Sequence, residues 1–166
     1  ANFAFSYRRR TAKLHFDYNL AARSKFVVGY ARLTNERPVQ EVAVTGENIM
    51  WGEIKTDVME NLNLGAKIQS QSRTADNYVP IQELVGTQAE ANPLLRKYHL
   101  ADRDRNTAGV YLTYSPIKEL TLSANANLAK DDYPDSVIGL TENEETNYSI
   151  NANAIVLQKL NLNAFY

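Results

Sequence analysis

The sequence predicts an all-β fold, an antiparallel transmembrane β-barrel to which this segment contributes about eight strands of a larger whole. Two observations support this prediction. Apolar and polar residues alternate along most of the chain, and the alternating stretches are joined by short and long connections in turn. The alternation is clearest at 120–128, where leucine and alanine share one face and Thr, Ser and Asn share the other. A sheet with one apolar and one polar side is therefore expected.

Most of the predicted strands are recognised by rows of apolar residues at alternate positions. The rows are Ala12, Leu14, Phe16 and Tyr18; Phe26, Val28 and Tyr30; Leu62, Leu64, Ala66 and Ile68; Ala108, Val110, Leu112 and Tyr114; Leu120, Leu122, Ala124, Ala126 and Leu128; Tyr148, Ile150, Ala152 and Ala154; and Leu160, Leu162, Ala164 and Tyr166. One further strand, near 48–57, has the weakest alternation. The stretches 56–64, 114–122 and 154–162 superpose as an internal repeat, in which one strand ends, the chain turns and the next strand starts.

The connections predict which way the strands run through a membrane. Tight connections lie near 19–24, 58–61, 115–119 and 155–159, and long ones lie near 35–47, 71–104 and 130–145. Outer-membrane barrels have short periplasmic turns, longer extracellular loops and strands of about 9 to 11 residues. We therefore expect strands of that length and extracellular long loops. Residues 1–166 are expected to form a single barrel segment that begins and ends on the extracellular side and is an incomplete part of its barrel.

Composition excludes several classes of protein. The 18 Lys and Arg residues nearly balance the 19 Asp and Glu residues, so the chain lacks the basic surplus of a nucleic-acid-binding protein. No stretch reaches the roughly 18 consecutive apolar residues of a membrane-spanning helix, in agreement with a mean hydropathy of -0.42. Cysteine is absent, which excludes disulfides and the C-x-x-C-H attachment signal of a c-type haem. The chain is expected to bind no haem of that kind itself.

Aromatic residues end several of the apolar rows. Tyr18, Tyr30, Tyr114, Tyr148 and Tyr166 are expected at the headgroup level of a membrane, because amphipathic rings prefer that position. The alternative is that aromatic residues simply favour strands. The only tryptophan, at position 51, falls on the polar side of its strand if the repeat register holds, and its role stays open.

The polar side of the last strands is the candidate surface for a partner. Its residues are neutral and mostly small, whereas a diffusion pore usually sets its selectivity with rings of charged side chains. The candidate partner-facing residues are Thr121, Ser123, Asn125, Asn127, Asn147, Ser149, Asn151, Asn153, Asn161 and Asn163. A wall that packs against something inside the barrel is one interpretation, and the solvated face of any antiparallel sheet is an equally good one.

The sequence offers no catalytic centre. We find no Ser–His–Asp set, glycine-rich phosphate loop or convincing pair of carboxylates, so the chain is not predicted to be an enzyme. His15 and His99 are the only histidines and have no ligand spacing between them. Asp131, Asp132 and Asp135 could gather a hard cation such as calcium, but an ordinary acidic loop is favoured. No catalytic, cofactor-binding or metal-binding residue is therefore predicted.

Four short motifs carry a resemblance to a known family. NPLLRKYHLADRDR at 92–105, YSPIKEL at 114–120, KDDYPDS at 130–136 and GLTE at 139–142 resemble the decahaem-associated outer-membrane protein family MtrB/PioB. The resemblance implies a large barrel in the bacterial outer membrane that encloses a periplasmic decahaem c-type cytochrome and lets electrons cross. It implies that the haem is carried by this partner, with an extracellular multihaem cytochrome as a possible second partner. The rival interpretations are a passive porin, a complete small eight-stranded barrel without a redox partner, and a soluble β-sandwich.

Overall fold

The computed structural model describes residues 6–38, 40–78, 94–156 and 160–166, and these form an eight-stranded antiparallel sheet. The strands are β1 (Arg8–Ala21), β2 (Ser24–Glu36), β3 (Val44–Met59), β4 (Leu62–Ala75), β5 (Arg103–Ile117), β6 (Leu120–Asp132), β7 (Glu142–Val156) and β8 (Leu160–Phe165). Each strand pairs with its neighbour in sequence, and the sheet is open, with β1 and β8 at its edges. The predicted all-β antiparallel fold is confirmed.

The strand register brings the predicted apolar rows together on one face. Val110 lies opposite Ala66 on one side and opposite Ala126 on the other, and Ala126 lies opposite Tyr148. The strand with the weakest alternation, near 48–57, is present as β3, whose Met50 pairs with Tyr30 on the same face. We call this side the apolar face and the opposite side the polar face. Residues on adjacent strands continue each face because side chains alternate with a period of two in every strand.

The tight turns repeat one local structure. Turns at 22–23, 60–61 and 118–119 join consecutive strands, and each follows or precedes an irregularity in the strand register. The carbonyl oxygens of Arg23, Asn61 and Glu119 each accept a hydrogen bond of 2.8 Å from a backbone N–H of the next hairpin. The first two copies of the internal repeat, 56–64 and 114–122, therefore adopt the same strand–turn–strand structure. The turn of its third copy, at 157–159, lies outside the described residues.

The strands are longer than the sequence predicted. From β1 to β7 they contain 13 to 16 residues, and the connections shrink to 37–43, 76–102 and 133–141. The expectation of 9 to 11 residues was wrong because apolar alternation marks only the part of a strand that the predicted barrel exposes to lipid. Backbone pairing continues past that part, for example between Asp104 and Asp132 and between Asp132 and Glu142. We call this end of the sheet the loop end and the opposite end the turn end.

The most buried side chains lie at the loop end, where the three connections meet. Val42 and Leu100 are 0% exposed. Leu95 forms a parallel bridge with Ile138, and Lys97 forms an ion pair with Glu41. We call the described parts of these connections, residues 37–38, 40–43, 94–102 and 133–141, the loop-end cap. Its small apolar cluster is the closest approach to a core in the described chain, because a single sheet has no second layer to pack against.

The cap is attached to the end of β4 by hydrogen bonds. Arg73 Nε donates to the carbonyl oxygen of Ala101 at 2.9 Å, and the backbone N–H of Ala75 donates to Asp102 Oδ1 at 2.6 Å. Charged groups bonded in this way count among the stronger hydrogen bonds in proteins. The cap is therefore held to the sheet as well as to itself.

The apolar face is open to its surroundings. Tyr148 is 70% exposed and Ile68 is 67% exposed, and both belong to a band of large apolar side chains that crosses every strand. An apolar surface of this extent is unfavourable in water, so something apolar must cover it. Among the residues that the structure describes, no helix is long and apolar enough to cross a membrane.

Candidate functional site on the polar face

The structure brings the predicted partner-facing residues together. They lie on the polar face of β6, β7 and β8, mostly as direct cross-strand pairs. The pairs are Thr121 with Asn153, Ser123 with Asn151, Asn125 with Ser149, Asn127 with Asn147, Asn153 with Asn163, and Ile155 with Asn161. We call this surface the asparagine wall.

The asparagine wall is linked by hydrogen bonds but keeps free hydrogen-bonding capacity. Asn125 Nδ2 donates to Ser149 Oγ at 2.5 Å, and Asn127 Nδ2 donates to Asn125 Oδ1 at 3.3 Å. Asn125, Asn127 and Asn151 are nevertheless exposed. An amide side chain offers two donors and one acceptor oxygen with two lone pairs, so these contacts leave groups available to a partner or to water. Phe165, an aromatic residue that the polar pattern did not predict here, lies opposite Asn151 on the same face.

The polar face of β1 to β4 is different, because it carries charges. Lys25 Nζ lies 3.0 Å from Asp17 Oδ2, and Lys55 Nζ lies 3.3 Å from Glu53 Oε1. Tyr111, on β5, also donates its hydroxyl to Glu53, at 3.1 Å. The polar face therefore has a charged half, in which these charges are paired, and a neutral half.

Two large aromatic side chains of the polar face lie flat on glycines of the neighbouring strand. Gly29 is the direct partner of Trp51, and Gly65 is the direct partner of Tyr111. A β-carbon on Gly65 would lie 2.0 Å from Cζ of Tyr111, so no other residue fits there without a shift. The rings occupy the space that a side chain would take, which keeps bulky groups close to the surface of the sheet. Trp51 is thus on the polar side, as its register predicted.

Ion pairs close the loop end of the polar face. Arg103 Nη2 lies 2.7 Å from Glu47 Oε1, and Arg105 Nη1 lies 3.4 Å from Asp131 Oδ2. Arg105 Nη2 also reaches Glu145 Oε2 at 3.1 Å. Asp131 is buried, and a buried charge is stable only with partners of this kind. These pairs join β3, β5, β6 and β7 beyond the apolar band.

The three aspartates considered for a hard cation enter separate contacts. Asp131 faces arginines, Asp132 lies 3.8 Å from Lys130, and Asp135 lies beside Asp102. In the described part of the chain no three His, Asp or Glu side chains gather as metal ligands. His15 lies on the polar face opposite Gly29, and His99 lies in the cap.

Groups of the cap have shifted pKa values. Burial raises the pKa of Asp102, and a hydrogen bond and charge repulsion from Asp135 add to the rise. Burial likewise raises the pKa of Tyr133, helped by the nearby charge of Asp131. Burial lowers the pKa of His99, and Lys97 lowers it further. The cap therefore favours the neutral form of each of these side chains.

The tyrosines predicted for a headgroup belt are not all at strand ends. Tyr18 and Tyr114 lie near the turn end, whereas Tyr30 is the middle residue of β2 and ends its apolar row on the side of the loop end. Tyr166, however, hydrogen-bonds with Ile150, which lies opposite Ala124 in the middle of the apolar band. Tyr166 is therefore level with the centre of the apolar band on β6, and a position at the headgroup level does not fit it.

An antiparallel sheet with an exposed apolar band on one face and polar groups on the other is typical of a transmembrane β-barrel. From Leu120 to Leu128 that band runs about 26 Å along the strand, near the height of a barrel's lipid-facing belt. The comparisons agree with this class. Residues 1–166 match the family described as outer membrane beta-barrel porin, MtrB/PioB. The chain is 37% identical over 154 residues to Outer membrane protein MtrB of Shewanella baltica (strain OS185).

The chain belongs to the MtrB/PioB family of outer-membrane β-barrel porins. The match covers 93% of this chain and 22% of the Shewanella baltica protein. The chain thus spans about a fifth of the length of that relative. The predicted family, the β-barrel class and the location in the outer membrane are confirmed.

Proposed function

We propose that this chain is a sector of a large outer-membrane barrel that sheathes a periplasmic multihaem c-type cytochrome and allows electrons to cross the membrane. In this proposal the barrel is an insulating sleeve, and all haem is carried by the partner. The family resemblance implies a decahaem cytochrome inside the barrel. A second, extracellular multihaem cytochrome would meet the barrel at the loop end.

The asparagine wall is the observation that best supports the proposal. Its side chains are neutral and capable of hydrogen bonding, and Asn125 and Asn151 remain exposed. A protein packed inside the barrel would remove lumen water, and an unpaired charge on the wall would then be costly. Neutral amides avoid that cost and can still bond to a polar partner surface. The flat placement of Trp51 and Tyr111 over glycines adds clearance for such a partner.

The open sheet supports a sector of a larger barrel more than a complete eight-stranded one. In the described residues β1 and β8 are the sheet edges, and β8 pairs only with β7. Closure of a barrel would require these two edges to pair. The proposal also places the loop end outside the cell, because long loops are extracellular and short turns periplasmic in such barrels.

A passive porin is the second candidate, and the charged half of the polar face favours it. Lys13, Lys25, Lys55 and Lys67 all lie on that face, as charged groups that line water-filled lumens often do. The pairing of Lys25 and Lys55 with carboxylates weakens this argument, since paired charges are also compatible with a packed interior.

The test changes the asparagine wall in the full-length parent protein. Replacing Asn125 and Asn151 together with Arg should weaken cytochrome retention while the barrel still assembles, because the added charges would be buried against the guest. Haem absorbance per purified barrel measures retention. The matched control replaces Asn125 with Gln and Asn151 with Ser, which keeps the surface neutral. Equal haem retention by the Arg variant and by the neutral control would refute this contact surface.

A further inference from the structure

Three arginines form a cluster on the apolar-face side of the sheet at the loop end of β1 and β2. Arg8 and Arg10 precede Leu14 at alternate positions of β1 and so share its face. Arg32 lies opposite Ala12, one position beyond Tyr30 on that face of β2. We call Arg8, Arg10 and Arg32 the arginine cluster. It lies where the apolar band gives way to polar residues.

The arginine cluster has more positive charge than its neighbours neutralise. Arg10 Nη2 lies 3.3 Å from Glu36 Oε1, yet its side chain is 63% exposed. Arg32 donates to the neutral amide oxygen of Asn48 at 2.8 Å, and Arg8 has no ion pair with a described side chain. One carboxylate thus faces three guanidinium groups. Arg32 can accept an anion without first breaking an ion pair, and Arg10, whose ion pair with Glu36 is largely exposed and therefore weak, lies diagonally opposite it on β1.

A shallow groove crosses the apolar face from β1 to β7, and its β1–β2 end lies next to the arginine cluster, since Tyr30 of its lining precedes Arg32 on the same face. Its volume is about 1130 Å³, and its lining near the cluster includes Leu14, Phe16, Val28 and Tyr30. Pockets that hold drug-sized molecules are typically about 300–1,000 Å³. The groove is therefore large enough for extended apolar chains, and its rim beside Tyr30 leads to Arg32.

We propose that the groove and the arginine cluster bind a phosphorylated glycolipid of the outer leaflet, with its acyl chains in the groove and its phosphate on Arg10 and Arg32. A guanidinium group matches phosphate geometry with two parallel hydrogen bonds, so arginine suits this contact better than lysine. The orientation proposed above, with the loop end outside, is a premise of this inference. The proposed lipid site does not depend on a cytochrome inside the barrel.

The opposite end of the groove, on the same face of β5 to β7, would disfavour a phosphate at the same level. There Asp104 pairs with Asp132, and Asp132 pairs with Glu142, so three carboxylates stand side by side around Lys130. Lys130 lies 3.9 Å from Glu142 and 3.8 Å from Asp132, so its charge is already shared. The opposite charge balance at the two ends of the groove predicts that the lipid phosphate selects β1 and β2.

The test measures lipid binding by the full-length parent protein in detergent, with lipid A as the probe. Replacing Arg10 and Arg32 with Gln should weaken lipid A binding by about ten-fold or more, because charge-assisted hydrogen bonds to the phosphate are lost. The matched control is Arg9→Gln, since Arg9 is adjacent in sequence but lies on the polar face opposite Asn35. Native mass spectrometry reports bound lipid, and haem absorbance should stay unchanged.

A second comparison changes the lipid and uses the unmodified protein, so it does not depend on assembly of the double variant. The unmodified protein should bind lipid A at least about ten-fold more tightly than its dephosphorylated form. Phosphatidylglycerol and inorganic phosphate should compete poorly. Equal binding of phosphorylated and dephosphorylated lipid A, equal loss with Arg9→Gln, or full competition by inorganic phosphate would each overturn the proposed lipid site.

Discussion

Trp51 lies across Gly29 on the polar face of the sheet. The two residues are direct partners in the register of β2 and β3, and a β-carbon on Gly29 would lie 2.1 Å from Cζ2 of the indole. Lys13 Nζ lies 4.8 Å from the ring centroid, so the ring also holds a cation close to the polar face of β1 to β3. A glycine at position 29 thus allows the largest side chain of this face to lie flat.

Gly29→Ala should destabilise the barrel by about 1–3 kcal/mol, because the methyl group overlaps the indole and one of the two must shift. Gly52→Ala is the matched control. A β-carbon on Gly52 would meet its nearest neighbour at an ordinary 3.8 Å, and we expect a change within about 0.5 kcal/mol. Urea unfolding of the full-length protein in lipid vesicles measures both free energies. Equal stability of the two variants would show that Trp51 does not depend on Gly29.

Ala124 and Asn125 test the assignment of the two faces. Ala124 lies between Leu112 and Ile150 in the middle of the apolar band, and Asn125 is the next residue on the polar face. Arg at position 124 should cost about 2–4 kcal/mol, the cost of a charge at the membrane midplane, whereas Arg at position 125 should cost much less. The folded fraction after assembly into lipid vesicles measures the difference. If both variants assemble equally well, the faces are wrongly assigned.

The orientation of the barrel can be tested with single cysteines, since this segment contains none. Val137 lies in the cap and is 69% exposed, and Lys118 lies in a tight turn at the opposite end. A cysteine at position 137 should react with a membrane-impermeant maleimide on intact cells. A cysteine at position 118 should react only after lysis. The reverse labelling pattern would contradict an extracellular cap.

Asp102 should make the cap more stable in acid. Its pKa is raised in the fold, so its contribution to stability is fully present below the ordinary aspartate pKa of about 3.9 and is lost as the pH rises through the raised value. A spin label at position 137 should therefore become more mobile as the pH rises through that window.

Asp102→Asn supplies the comparison for the pH effect, because an amide keeps a donor toward Asp135 and an acceptor for the N–H of Ala75. This variant should lose the pH dependence and keep the label immobile. Asp132→Asn, a change at a residue paired with Lys130, should leave the pH dependence as it is. A label that responds to pH equally in all three proteins would rule out Asp102 as the cause.

The features that follow a period of two could be predicted from the sequence. The apolar rows, the polar placement of Trp51 and the clustering of the asparagine wall all depend on side chains that alternate within each strand. The paired strand ends could not be predicted in this way, because ion pairs such as Arg105 with Glu145 hold them together and leave no apolar alternation.

The cap shows the other limit of sequence reasoning. Leu100 is fully buried, but its position depends on contacts between connections that are distant in sequence, such as Leu95 with Ile138. The proximity of Asp102 and Asp135 arises in the same way. Local pattern gives no signal for such contacts, and so these segments were predicted only as long loops.

The proposed enclosure of a multihaem cytochrome by the barrel can be tested on the unmodified full-length protein. The protein is purified from native outer membranes, its c-type haem absorbance per barrel is quantified, and it is placed in liposomes that contain a reductant. We expect a haem protein in fixed proportion to the barrel, electron transfer to an acceptor outside the liposomes and little ion conductance. A barrel that carries no haem protein and conducts small ions freely would contradict it.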